Sequence, residues 1–436
     1  MSKHKKSGRR EFIKKGSAAI AGGTVLTTLP GHLGAYVNGT DQIRVGLIGC
    51  GNRGAGAAVQ ALQATKSAKL VAMGDAFRDR LDKSYNAILE NVDPGQVDVP
   101  EKNKFVGFDA YKNVIELSDA VLLVTPAPFR PIHFEAAVQA GKHVFMEKPL
   151  AVDVPGYHKI MEVSELADQK NLTVVVGLQN RYSKAYQLLL EQIQGGIVGD
   201  IASLSVYYCV GAPVIHERQP GQTEMEYQMR NWRYFTWLWG GQLAGQSIHP
   251  IDVMNWLMQD YPVVAKGLGG RQVFTGPNQG NTYDHHFVEF EYPNGVKMNV
   301  QSQNINNCWS RIGWDIRCAS GSADEKSRIY DLKKNVVWRH DDREDPNPYQ
   351  LEHDVFFDSI IKNKPRNDTE WGAKSTLTTI MGRMAMHSGQ IMNLEEVLNS
   401  KRSILPPEFT WDAEMPDVPD ESGNYPVPLP GVSNVL

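Results

Sequence analysis

The stretch QIRVGLIGCGNRGAGAAVQAL, residues 42–62, decides how the chain is read. An apolar run from Ile43 to Ile48 leads into Gly49, Gly51 and Gly54, and an alanine-rich helical pattern follows from about Ala55. A lone G-x-G-x-x-G says little, but set between a strand and a helix it describes a turn built around a pyrophosphate. Gly49 allows the tight turn, Gly51 lets the backbone approach the phosphates, and Gly54 lets helix pack on strand. The helix N-terminus, with Asn52 and Arg53, then faces the anion. A second strand pattern, AKLVAMGD, ends in Asp75, about 20 residues beyond Gly54, the offset of a ribose-binding acid. A carboxylate there accepts from a ribose 2′-OH and repels a 2′-phosphate, which favours NAD. Arg78 and Arg80 close behind keep NADP as the alternative.

Working outward, residues 119–151 read DAVLLVTPAPFRPIHFEAAVQAGKHVFMEKPLA: a strand, a proline-rich turn, a helix closed by Gly141 and a short strand. Alternating strands and helices make a doubly wound parallel sheet, whose ligands sit at the carboxyl ends of the strands. Thr125, Pro126, Glu147 and Lys148 fall at such ends, and His133 follows the proline-rich turn into the cofactor cleft. Gln179 and Arg181 follow the strand in NLTVVVGLQNR and border the nicotinamide or the substrate.

The 436 residues, 42% hydrophobic and 22% charged, suit a globular chain of two or three domains. A net charge of -4 gives no reason to expect nucleic acid or an anionic membrane as partner. Cys50, Cys209, Cys308 and Cys318 show no C-x-x-C spacing, so neither a disulfide framework nor a metal site is expected. The adjacent histidines 285 and 286 lie on a strand pattern and face opposite sides, which argues against a shared metal. Ahead of the glycine loop, SGRREFIKKGSAAIAGGTVLTTLPG carries paired Arg9 and Arg10 and a run too short and polar to span a bilayer. It resembles the twin-arginine signal, which exports proteins already folded, so a periplasmic protein with no membrane span in its mature form is expected.

GKHVFMEKPLA, GCGNRG, LTVVVGLQNRYS, GGQLAGQSIHPIDVMNWLM and STLTTIMGRMAMHSGQ together resemble the glucose-fructose oxidoreductase, inositol dehydrogenase and rhizopine catabolism family, Gfo/Idh/MocA. The resemblance covers nearly all of the chain after the leader. It implies an N-terminal Rossmann domain and a C-terminal α/β domain with a large, mostly antiparallel open sheet, which floors the substrate site and often joins subunits, so a homo-oligomer is expected. It also implies that Lys148 works beside the nicotinamide in proton transfer and substrate binding. His249 would accept the hydroxyl proton, with Asp252 near the same helix end. One departure stands out: where the family commonly carries an acid four residues before this histidine, this chain has Gly245. Glu217, Glu224 and Glu226 are conceivable replacements.

Those glutamates belong to HERQPGQTEMEYQMRNWRYFTWLWGG, residues 216–241, a segment dense in aromatic residues. Trp232 and Tyr234, with Arg181, suit the faces and hydroxyls of a sugar or cyclitol ring, though aromatic residues serve equally in a core or an oligomer contact. The organisation expected is a leader over 1–40, a dinucleotide domain over 41–165, a substrate and oligomerisation domain over 166–404, and a proline-rich tail over 405–436. That tail reads as a strap across the surface or a neighbouring subunit. The function expected is an exported NAD(P)-dependent oxidoreductase of a sugar, sugar acid or cyclitol that holds its cofactor tightly. The rivals are an NAD-dependent glycoside-cleaving enzyme and a non-catalytic sugar sensor.

Overall fold

The structure, a computed structural model, describes residues 42–436. The paired arginines, and the export expected from them, lie outside the described residues. From Ile43 strands and helices alternate: β1 (Ile43–Ile48), α1 (Asn52–Ala64), β2 (Ala68–Asp75), α2 (Arg78–Leu89), β3 (Lys104–Val106), α3 (Ala110–Leu117), β4 (Ala120–Leu123), α4 (Arg130–Gln139), β5 (His143–Glu147), α5 (Val154–Gln169) and β6 (Val174–Gly177). The strands form one six-stranded parallel sheet in the order β3-β2-β1-β4-β5-β6. Helices cover both faces, so β4 and β6 are buried throughout and their sequences are unbroken apolar runs. The order reverses between β1 and β4, which opens a ligand crevice beyond their carboxyl ends.

Two boundaries move. The first helix begins at Asn52 instead of about Ala55, directly on the glycine loop. The domain boundary expected at 165 lies beyond Gly177, because β6 pairs with β5 from Val144↔Val174 to Glu147↔Gly177. A short run such as VVVG reads the same in either sheet, and only its pairing decides.

The chain continues through α6 (Lys184–Gln194), β7 (Ile201–Val210), α7 (Glu224–Arg230), α8 (Thr236–Trp239), α9 (Ile248–Met258), β8 (Val264–Gly270), β9 (His285–Glu291), β10 (Lys297–Asn304), β11 (Arg311–Cys318), β12 (Gly321–Asp324), β13 (Arg328–Asp331), β14 (Val336–Arg339), α10 (Pro348–Ile361), α11 (Thr369–Ser388), β15 (Met392–Asn393) and α12 (Leu394–Leu398). The second sheet has nine strands, ordered β14-β13-β12-β11-β7-β10-β9-β8-β15, and only β7 and β10 pair in parallel. The Pro293–Gly295 turn closes the β9–β10 hairpin, with the Tyr292 N–H donating to Val296 O at 2.9 Å. In β9 burial alternates residue by residue, with His286, Val288 and Phe290 turned inward. The opposite face is open to solvent and carries Leu268 and the ion pairs of Lys266 and Lys297 with Glu289.

Helix α11 joins the two halves. It is buried along nearly its whole length, and its small residues let it come close to its neighbours. A Cβ on Gly372 would meet Val176 of the first sheet at 2.9 Å, and one on Gly382 would meet Phe290 of the second at 2.6 Å. Helix α10 returns to the first half, where Phe356 and Phe357 pack into its core beside α1. The tail straps this chain's own surface. Trp411 lies 5.3 Å from Phe77 and 4.6 Å from Phe108, Phe409 lies 4.7 Å from Phe129, and the Tyr283 hydroxyl donates to Pro428 O at 2.8 Å. The four cysteines are free thiols. Among the described residues no helix is long and apolar enough to cross a membrane.

Candidate active site

Gly49 adopts φ +99°, and a Cβ there would stand 2.5 Å from the Thr125 amide nitrogen, so glycine alone closes this turn. A Cβ on Gly54 would meet Gly49 O at 2.0 Å, the close approach that seats α1 on the loop. Around Gly51, by contrast, nothing lies within 4 Å of where a Cβ would be. Gly51 is also the N-cap of α1 and provides no side-chain cap, so the amides of the first turn at Asn52 and beyond are left for an anion. Asp75 accepts the Cys50 N–H at 2.6 Å on one oxygen and the Phe77 N–H at 2.9 Å on the other. Each oxygen retains a lone pair for a ribose hydroxyl. Arg78 is paired with Asp82 at 2.8 Å and Glu101 at 2.5 Å, and Arg80 donates to Arg230 O at 3.3 Å, so both guanidinium groups are already engaged. These residues fit a dinucleotide with a free 2′-hydroxyl.

Beyond β4, Pro126 opens a short turn and Thr125 O accepts both Nη groups of the buried Arg130, at 3.1 and 2.7 Å. His133 stands 3.3 Å from the Thr125 hydroxyl and stacks on Tyr111 at 4.4 Å. Burial, then the charge of Arg130, pushes its pKa down to about 3. It is a buried, neutral ring.

Lys148 follows β5 on a cis bond to Pro149, and its Nζ donates to Gly245 O at 2.9 Å. Burial pushes Lys148 down to about 8, against the pull of Glu147 and aided by Arg130, Arg53 and Arg233. His249 lies in the first turn of α9, and burial, then Lys148 and Arg53, hold it well below the usual imidazole value. It is therefore a neutral ring beside an ammonium. Its Nδ1 has no partner, and neither have Gln179 Oε1, Gln246 Oε1 and Ser247 Oγ, all buried. An unsatisfied buried polar atom costs about 1–3 kcal/mol, so this group points to a ligand carrying donors and acceptors.

Several side chains do other work than the sequence led us to expect. The Arg53 guanidinium is held by Glu147, by Glu352 at 2.8 Å and by Gln60 at 2.7 Å, so it ties α1 to β5 and α10 instead of lying open to phosphate. Asp252 is fully buried with both oxygens engaged by Arg181, which leaves no free carboxylate for substrate and removes Arg181 as a free donor. Tyr234 is buried against Phe274 at 4.9 Å and its hydroxyl donates to Pro213 O at 2.6 Å, so it is core. Trp232 is half-buried and meets Trp239 edge to face at 6.2 Å. Glu224 is bound to Arg218 and Tyr425, Glu226 to Arg230, and Glu217 is exposed, so none replaces the missing acid. Glu352 was missed. Its signal is an acid on the apolar face of α10, one helical turn before Phe356.

The model of an oxidoreductase family with an NAD-binding Rossmann fold matches residues 43–178, and the Gfo/Idh/MocA C-terminal domain matches residues 186–324. The chain belongs to the Gfo/Idh/MocA family. Among Gfo/Idh/MocA relatives, inositol 2-dehydrogenase 3 of Saccharopolyspora erythraea is 26% identical over 80% of this chain and 95% of its own. Inositol 2-dehydrogenase of Cereibacter sphaeroides is 29% identical over 63% of this chain and 70% of its own. The crystal structure of Lactobacillus casei scyllo-inositol dehydrogenase with bound NAD(H) and scyllo-inositol superposes with a TM-score of 0.60 at 19% identity, covering 81% of this chain and 100% of that one. As a member of this family the chain is an NAD(P)-dependent oxidoreductase with an NAD-binding domain.

Proposed function

We propose that the chain oxidises a ring hydroxyl of a cyclitol or sugar, and does so as an exported enzyme that keeps its dinucleotide from one turnover to the next. The observation that carries the chemistry is the neutral His249 beside the Lys148 ammonium, with buried oxygens of Gln179, Gln246 and Ser247 that lack partners. The inositol dehydrogenases among its relatives support a cyclitol as substrate. The bound dinucleotide supplies the hydride acceptor. His249 Nδ1 takes the hydroxyl proton, and the Lys148 ammonium stabilises the negative charge that grows on the oxygen as the carbonyl forms. Gln179, Gln246 and Ser247 hold the remaining hydroxyls. Retention of the cofactor is supported by Phe409 and Trp411, which lie against Phe77, Phe108 and Phe129 at the ends of the strands on the adenosine side. A cofactor that does not leave must be restored in place, by a second substrate or by return of hydride to the same molecule, as in a glycoside-cleaving cycle. The open face of the second sheet, with Leu268 exposed, suits a second copy of the chain.

The test is to purify the full chain, identify the released nucleotide by mass spectrometry, and add myo-inositol, scyllo-inositol and aldoses while following reduction of bound nicotinamide. An empty site and free NADH accumulating with product would replace retention by ordinary exchange. No reduction with any of these compounds would remove the cyclitol and sugar reading. Export is tested separately: Arg9→Lys with Arg10→Lys should strand the protein in the cytoplasm. Unchanged fractionation would remove it.

A further inference from the structure

We propose that Trp239 is the positioning residue for Lys148, acting through the backbone of Gly245, and that its indole fills the space any side chain at residue 245 would need. After α8 ends at Trp239 the chain reverses through Gly240 and Gly241, at φ +72° and +77°. A widened helical turn, Leu243–Ser247, then carries residue 245 back against the ring. A Cβ at Gly245 would stand 1.7 Å from Trp239 Nε1, 2.3 Å from Cε2 and 2.4 Å from Cδ1. Real atoms never approach so closely, so a side chain at 245 and this indole exclude each other. Nor can the ring swing aside freely: Trp239 is 2% exposed and held edge to face by Trp232.

The carbonyl of the same Gly245 accepts from Lys148 Nζ at 2.9 Å. Contact therefore runs from the indole to the Gly245 backbone, and from its carbonyl to the ammonium. This explains the departure noted in the sequence: no carboxylate fits at 245 while Trp239 is present, so Lys148 and His249 handle charge there without an acidic relay. The other charged and titratable groups that bear on Lys148 are Glu147 on β5, Arg53 on α1, Arg130 on α4, Arg233 ahead of α8, His249 on α9 and Glu352 on α10.

The inference rests on the reading that Lys148 works at the substrate, so its test reads the lysine itself and needs no substrate. The full chain is pulse-labelled with acetic anhydride across a pH series, and labelling at Lys148 is quantified by peptide mass spectrometry, with NAD calorimetry as the check on folding. Trp239→Ala should admit water to Lys148, and this rehydration favours the ammonium by more than loss of the Gly245 carbonyl disfavours it. Its half-labelling pH should then rise by roughly one unit, about a tenfold drop in reactive lysine at neutral pH. Trp239→Phe should stay near the parent. An unchanged midpoint in a Trp239→Ala chain that still binds NAD overturns the proposal. If that chain no longer binds NAD, Gly245→Ala carries the test: its Cβ displaces the indole or the carbonyl, so the midpoint should move, and an unmoved one overturns the proposal equally. Failure to oxidise any sugar would leave these results standing and refute only the functional reading.

Discussion

Arg181 grips Asp252 in a fork, Nε to Oδ2 at 2.8 Å and Nη2 to Oδ1 at 2.9 Å, and Ser375 Oγ donates to the same carboxylate at 2.7 Å. Three elements meet there: the turn after β6, helix α9 and helix α11. The fork therefore fixes the helix whose first turn carries His249. Asp252→Asn should remove the counter-charge of the half-buried Arg181 and one arm of the fork, and lower stability by about 2 kcal/mol in urea unfolding. A variant of unchanged stability that nevertheless lost all turnover would return Asp252 to the chemistry.

The pH profile should distinguish the two candidate proton acceptors. With the His249 pKa held well below 6.5, the neutral ring persists as pH falls, so kcat should hold to lower pH than an ordinary histidine base allows. On the alkaline side Lys148 loses its charge as pH rises through about 8, and the rate should fall there with it. A rate that instead climbs through that pH would make the neutral Lys148 amine the base.

Lys148→Ala should abolish turnover while leaving NAD binding by calorimetry close to the parent, because the glycine loop and Asp75 lie at the other end of the dinucleotide. His249→Ala should cost roughly 10²-fold in kcat as the loss of a general base. A near-parental rate for His249→Ala would assign the imidazole to the architecture of α9.

The aromatic residues of the strap bear on retention. Replacing Phe409 and Trp411 together by alanine removes contacts with Phe77, Phe108 and Phe129, each worth about 1 kcal/mol. Nucleotide should then escape roughly tenfold faster or more in a dilution assay followed by filtration. Release at the parental rate would show that the strap does not hold the cofactor.

The parallel sheet and the glycine loop were legible because their requirements are local: an apolar run, a turn only glycine can make, and a helix behind it. For Tyr234 the sequence left both roles open, because a segment rich in aromatic residues has the same composition whether it lines a pocket or fills a core. Arg53 and Glu352 stand 299 residues apart, and nothing in either neighbourhood announces the other. The empty place at Gly245 was visible in the sequence, but its cause, the indole of Trp239, appears only when the chain folds back.

The strap has a mechanical meaning as well. One end lies on Trp411 against the strand ends of the first sheet. The other is anchored where Tyr283 bonds Pro428 and where the Gly431 N–H donates to Ser388 O at 2.6 Å, beside the second sheet. A ligament fixed to both halves resists the hinge opening by which many two-domain proteins admit their ligands. It also leaves neither half able to melt alone, since loss of either sheet would pull away the cover of the other. The described chain should therefore unfold in one cooperative step, with amide protons of β4 and β10 exchanging only through global opening.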